Sequence, residues 1–358
     1  MSVAAAGLAV LVAVVGIQLA GPGAAEPDPT ATPGGTSQAT SPTPSVPATS
    51  PTASGYLVAG DELRRRAELA RDGQESYRAA VDQLVAAAEQ ALNDEPRPHN
   101  PITYRRGRFL QDARNAYTLA LASVVTGDRT YAGHALTIID AWVERTDSTR
   151  HACTTNGGSE CATSLLVSRH APAIVFAADL LESTGALSFE CRERLQRWLA
   201  DVILPAASQR TNSWGDAGTF MRIVVADYVG DARAFAGAVD DWRASMDLGT
   251  AEGEIPEESR RGKLGLLYTQ GAISYKAASA AVAERRGIDL WSYRGALGGS
   301  LRGAADAFAR FWREPEAWPW HDRRVDIPTV DPAWEIIYQR WPDADYAAIF
   351  QSHRPSGH

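Results

Sequence analysis

From residue 56 to the end, apolar side chains recur at three- and four-residue spacing, broken by short polar joints. That period is the mark of amphipathic helices, because residues three and four apart share one helix face. "GDELRRRAELARDGQESYRAAVDQLVAAAEQAL" (60–92) reads as two helices split near Asp72-Gly73. "FLQDARNAYTLALASVVTGD" and "TYAGHALTIIDAWVERT" form the next pair. "ATSLLVSRHAPAIVFAADLLEST" and "LSFECRERLQRWLADVILPAAS" follow, joined at Gly185. "AGTFMRIVVADYVGD" and "ARAFAGAVDDWRASM" meet at a Gly-Asp joint, and "GKLGLLYTQGAISYKAASAAVAERRG", "LGGSLRGAADAFARFWRE" and "PAWEIIYQRW" complete the set. No run of period-two alternation competes, and the Gly-Asp and Ser-Thr-Gly joints are ordinary helix-ending chemistry. Short joints make neighbouring helices antiparallel, and no strict repeat is present. The fold class expected is all-α: an incomplete (α/α) toroid of antiparallel helical hairpins, with a cleft formed by helix ends and loops on one side.

Four longer polar loops interrupt the helices: "NDEPRPHNPITYRRGR", "STRHACTTNGGSEC", "SQRTNSWGDAG" and "GTAEGEIPEESRRG". Loops carried on a rigid scaffold are where chemistry concentrates. Of the ten tryptophans, Trp142, Trp198, Trp242 and Trp312 fall in amphipathic helices and are expected in the core. Trp214, Trp318 and Trp320 fall in loops, where an indole face can stack on a sugar. In the fourth loop Arg261 precedes Tyr268 by seven residues. On one helix that is about 700° and roughly 10 Å, so the two side chains are expected on the same face, two turns apart. Gly265, between them, is expected to leave the space open.

The N-terminus changes the picture of where the chain works. "VAAAGLAVLVAVVGIQLA" (3–20) is apolar and uncharged, and small residues follow at Gly23 and Ala25. Residues 1–25 read as a signal peptide, or as an uncleaved anchor, although no Lys or Arg precedes the apolar run. Residues 26–55 are rich in Pro, Thr, Ser, Ala and Gly and read as a disordered linker; residues 56–358 read as a single domain. The expectation is a secreted, extracellular monomer, tied to membrane or wall only if the N-terminal segment is retained. The net charge of −8 and the lack of a basic stripe exclude nucleic acid as partner, so an anionic ligand needs a local concentration of arginine. Of three cysteines, Cys153 and Cys161 are expected to form a disulfide in an oxidising compartment, worth about 2.5 kcal/mol on the chain-entropy model. Cys191 is then a small hydrophobe. No metal-ligand spacing, dinucleotide fingerprint or phosphate loop appears, so no cofactor is implied.

The loops and helices together resemble the alginate lyase family of polysaccharide lyases, which are incomplete α/α toroids. The likeness rests on "SWGDAGTF" with Asn212 just before it, on "GEIPEESRRGKLGLLY", and more weakly on "LASVVTGDRTYAGHALTIIDAW" and the tail "WEIIYQRWPDADYAAIFQSHRP". It spans roughly residues 95–355. The resemblance implies β-elimination at a uronic acid in an anionic polysaccharide. That reaction must neutralise the carboxylate next to the C5 proton, remove that proton and protonate the leaving O4. Asn212 can donate through its amide, and Arg261 brings a planar cationic fork suited to a carboxylate. Tyr268 can take and return a proton. Arg105 and Arg169 are further candidates for substrate binding, with Trp214, Trp318 and Trp320.

One position departs from the family pattern. Alginate-specific members carry a histidine directly after the motif asparagine, and here Ser213 stands there. Either Tyr268 performs both proton transfers or a histidine arrives from elsewhere, with His170 in "VSRHAPA" the favoured candidate. His134 reads as a core residue, and His99, His151 and His321 lie in loops. The departure leaves alginate and other polyuronates such as glucuronan open as substrates. Two rival readings also remain. A toroid glycoside hydrolase would use paired carboxylates from Asp216, Glu254, Glu257 and Glu258; a wall-associated module would bind polysaccharide without cutting it.

Overall fold

The computed structural model describes residues 55–150, 162–321 and 323–353. Its helices are α1 (Gly60–Arg71), α2 (Glu75–Leu92), α3 (Arg108–Thr126), α4 (Arg129–Arg145), α5 (Ala162–Ser183), α6 (Phe189–Trp198) and α7 (Ser213–Val229). After them come α8 (Ala232–Asp247), α9 (Pro256–Ser259), α10 (Gly265–Glu284), α11 (Leu301–Arg313), α12 (Trp334–Arg340) and α13 (Ala344–His353). Among the described residues there are no strands, only the isolated bridges Ile102–Thr149 and Thr250–Gly298.

The Gly-Asp joints do what their chemistry suggests. Gly127 ends α3 in the left-handed conformation (φ 77°), and Asp128 caps α4 by accepting from the Thr130 N–H. Gly230 (φ 80°) and Asp231, which accepts from the Ala234 N–H, repeat the device between α7 and α8. A two-residue joint of this kind leaves the chain no course but to turn back on itself.

Packing sorts the helices into two layers. The inner row runs α3, α5, α7, α10, each against the next, while α4, α8 and α11 pack on α3, α7 and α10 from outside. The inner helices are buried nearly all round. α5 is long and apolar enough to cross a membrane by length and composition, yet 89% of the relevant window is buried inside the protein, which marks it as a core helix. Each inner helix is the first arm of a hairpin or follows an outer arm, so the inner helices run in one sense. The four long polar loops all lead into inner helices, and three of the four far-end joints are short, 127–128, 184–188 and 230–231, the fourth running 285–300. The described parts of those loops and the inner N-termini therefore gather at one end, which is the toroid expected from the pattern.

Candidate active site

The loop 208–212 doubles back against the first turns of α7, and two glycines allow it. A Cβ on Gly215 would lie 1.6 Å from the Arg210 carbonyl oxygen, and one on Gly218 would lie 1.9 Å from that of Ser208. The glycine spacing in "SWGDAG" is thus a close-approach requirement, and it fixes Asn212 at the head of α7. The Asn212 side-chain carbonyl accepts the Trp214 N–H at 3.0 Å. With that oxygen committed to the cap, the amide Nδ2 is the end left for a ligand. Trp214 is half-buried, and the Arg210 guanidinium covers its ring at 4.2 Å.

Glu258, on α9, ties this helix head to the next loop. It is fully buried and accepts the Ser213 backbone N–H through Oε1 in a very short bond. Its other oxygen, Oε2, is buried without a hydrogen-bond partner. Burial pushes its carboxyl up to about 8, against the opposing pull of the Ser213 N–H and Arg261, with Asp216 adding to the rise.

Arg261 and Tyr268 are not on one helix. Pro256–Ser259 forms the single turn α9, Arg261 precedes a 3-10 turn at Gly262–Leu264, and α10 begins only at Gly265. The break carries Arg261 back over the start of α10, so its guanidinium lies 4.2 Å above the Tyr268 ring. The two groups converge instead of standing two turns apart. Arg261 is exposed and Tyr268 half-exposed. Gly265 does not keep a space empty: a Cβ there would meet the Ser259 carbonyl oxygen at 2.4 Å and the Trp318 Nε1 at 3.1 Å. Its role is to let α9 and the indole close on the head of α10.

That packing also corrects the reading of Trp318. The side chain is 3% exposed and donates from Nε1 to the Ser259 carbonyl at 3.1 Å, so it braces the loop and has no face to offer a sugar. Trp320 meets it edge-on at 4.7 Å and stays half-exposed. The same segment brings His321 alongside: its Cε1 lies 3.9 Å from where a Cβ on Gly262 would stand. No sequence signal could place it there, because the approach depends on a loop from the far end of the chain folding back.

His170 is 6% exposed on α5. Burial first, then the Arg169 and Arg114 guanidiniums, push it down to about 3. An imidazole that resists protonation so strongly is a poor base at neutral pH, so the expectation that His170 replaces the motif histidine is not supported. Arg169 is half-exposed, bears on Tyr275 and Asp331, and has its Nε buried without a partner. The Arg105 side chain, His151 and the Cys153–Cys161 pairing lie outside the described residues.

Of the four acids proposed for hydrolysis, Glu257 is exposed and the other three are engaged. Asp216 is held by Lys276 at 2.6 Å in a buried pair, with the two side chains 8% and 1% exposed, and Ser245 donates to the same oxygen at 3.1 Å. Glu254 takes a two-pronged grip from Arg260 at 2.6 and 3.2 Å. With Glu258 sealed under Ser213, no two of these three are free carboxyls facing one groove.

A helical toroid whose open end presents an asparagine cap, a guanidinium and a phenol is the layout of a polysaccharide lyase. Residues 69–318 match the alginate lyase family model, and the chain belongs to that family. Solved structures agree on the fold. An alginate lyase from Bacteroides ovatus superposes with a TM-score of 0.70 at 17% identity, covering 86% of this chain and 97% of that one. A Tyr-to-Phe variant of alginate lyase A1-III complexed with tetrasaccharide gives 0.65 at 18% identity, over 83% and 95%. Alginate lyase A1-III from Sphingomonas species A1 gives 0.63 at 19%, over 80% and 89%. No curated protein matches the sequence.

Proposed function

We propose that this enzyme cleaves a polyuronate, alginate or a close relative such as glucuronan, by β-elimination at the head of α7 and α10. The observation that carries this reading is the convergence of Arg261 and Tyr268 at 4.2 Å, joined to Asn212 through the Ser213–Glu258 bond. Arg261 and the Asn212 amide take the substrate carboxylate. Charge then spreads into it as the C5 proton leaves, and a donor aimed at such developing charge is worth about 2.7–4 kcal/mol. Tyr268, starting as the phenolate, takes the C5 proton on its oxygen and passes it to O4 as the C4–O4 bond breaks, which leaves an unsaturated uronate at the new end and restores the phenolate. Membership of the family favours elimination over hydrolysis, as does the engagement of Asp216, Glu254 and Glu258, which leaves exposed Glu257 without a second free carboxyl to pair with. A location outside the cell, suggested by residues 1–25, is part of the same proposal.

The test is a panel of mannuronan, guluronan, glucuronan and neutral mannan, followed by ultraviolet absorbance of the unsaturated product. Absorbance should rise on at least one uronate and never on mannan, and Tyr268→Phe should lower kcat by about 10²–10⁴. Reducing ends appearing without absorbance would point to hydrolysis, and full activity in Tyr268→Phe would remove the phenol from the mechanism.

A further inference from the structure

The end of the toroid opposite the cleft is crossed by a short segment that the elimination chemistry does not use. Residues 55–58 precede α1 and lie over the C-terminal ends of three inner helices. Tyr56 is 5% exposed and Val58 9%. The Tyr56 hydroxyl donates to Asp227, near the end of α7, at 2.7 Å. Arg286, just past the end of α10, grips the same carboxylate with two bonds of 2.6 Å. Its neighbour Arg285 donates to the Gly55 carbonyl at 2.7 Å and to that of Leu57 at 3.2 Å. Asp179, near the end of α5, accepts the Gly55 N–H. The fit is close: the cavity left between this segment and Tyr117, Phe176 and Asp179 measures about 10 Å³.

These contacts do more than cover apolar surface. Charged groups from α5, α7 and the end of α10 converge on one segment, and charge-assisted hydrogen bonds are the strong ones. From Tyr56 a row of buried rings then crosses the inner helices. Phe176 of α5 lies 5.7 Å from Tyr56, Phe220 of α7 lies 6.3 Å from Phe176, and Tyr275 of α10 lies 6.3 Å from Phe220. Tyr117 of α3 joins the row 5.8 Å from Phe176. Tyr275 follows Tyr268 by seven residues of unbroken helix, which is two turns and roughly 10 Å. One packed series of side chains thus links the far end to the helix that carries the phenol, and close-packed rings have little room to shift singly.

We propose that residues 55–58 are a strap that fixes the spacing of the inner helices at the far end and, through the row of rings, holds the heads of α7 and α10 in register at the cleft. Its effect on substrate rests on the polyuronate reading; its effect on the helix heads does not. With the strap released, Asn212 on α7 and Arg261 before α10 meet the substrate carboxylate less well. The contact of Arg261 with Tyr268, made within one segment, survives. Binding should suffer more than turnover.

The experiment compares the full chain with its Tyr56→Ala and Arg285→Met variants, and with Val239→Ala as a control. Val239 is buried on outer helix α8, outside both the strap and the row of rings. Both strap variants should raise KM on the best uronate polymer at least about threefold, the size expected when a coupling residue is removed. Their kcat should stay within about twofold, and the control should keep both constants. Hydrogen exchange should quicken at residues 208–216 and 256–268 as well as at 55–60, again in the strap variants and not in the control. Unchanged KM in both strap variants would overturn the strap, as would faster exchange confined to the far end. Tyr56→Phe, which drops only the bond to Asp227, gives the same reading if either larger change folds poorly. Failure of the elimination reading shows itself separately, as wild-type enzyme that yields no unsaturated product on any uronate, and the exchange measurement then decides the strap alone.

Discussion

Replacing Glu258 with glutamine should remove a pH dependence of folding stability that this one residue creates. The carboxyl is fully buried and pushed from 4.5 to about 8, mainly by burial. In the unfolded chain it titrates near its ordinary value, about 4.3. Between those limits the folded protein holds a proton that the unfolded chain has released. Unfolding therefore liberates a proton, and stability falls as pH rises from about 4.5 to about 8, then levels off. Each unit is worth about 1.36 kcal/mol, so a window of 8 − 4.5 units allows about 5 kcal/mol at most. The pulls of the Ser213 N–H and Arg261 are already contained in that shift; relaxation of the packing around the ionised carboxyl lowers the ceiling, and about 2–5 kcal/mol is the expected size. Glutamine keeps an acceptor for the Ser213 N–H and does not titrate. Urea unfolding of wild type and Glu258→Gln at pH 5, 6, 7, 8 and 9 measures the difference directly. Asp331 and Asp179, each pushed up to about 6 by burial, tilt both curves alike and cancel. The variant should gain on the wild type steadily up to pH 8. A difference that stays flat from pH 5 to 9 would refute the reasoning.

Lys276→Met strands the Asp216 charge in a buried pair and should cost about 3–5 kcal/mol, which calorimetry would read as a melting point roughly 5–8 °C lower. Gly265→Ala drives a methyl to within 2.4 Å of the Ser259 carbonyl; it should destabilise by about 1–3 kcal/mol and cut turnover by pushing α9, with Arg261, off Tyr268. Arg261→Lys keeps a positive charge but loses the planar fork, so kcat/KM on the best uronate should fall at least tenfold, and unchanged kinetics would remove Arg261 from carboxylate binding.

The scaffold was legible because its signals are local. Gly127-Asp128 and Gly230-Asp231 turn the chain by caps that any sequence reader can recognise, and the long polar loops announced which end holds the chemistry. The structure brings Asn212, Arg261 and Tyr268 to one end of the toroid, but in a geometry the sequence did not show. Seven residues between Arg261 and Tyr268 mean two turns only if the helix is continuous, and Gly262, with φ 56°, belongs to a break. The indole of Trp318 and the imidazole of His321 reach this place from over fifty residues away, through contacts with no local signature. His170 misled for a related reason: a histidine beside an arginine near a helix start looks functional, and only the packing of α3 shows that a second arginine and burial hold it neutral.

The exchange of histidine for serine after the motif asparagine has a structural reading that the alignment of motifs alone does not supply. Ser213 is 2% exposed and sits at the first position of α7, where its N–H points at Glu258. A serine there cannot reach a sugar, and it cannot take a proton at neutral pH. What it does is anchor: one bond from Ser213 to Glu258 fixes the head of α7 against α9, and α9 carries Arg261 three residues further on. The asparagine and the guanidinium are thus set relative to each other through a buried carboxyl instead of through a third group in the cleft. On the proposed reading, neutralising the substrate carboxylate then falls to Arg261 and the Asn212 amide, and proton transfer to Tyr268. The Ser213–Glu258 bond lies directly behind the proposed site, which is why the protonation of Glu258 and the chemistry of the open face belong to the same question.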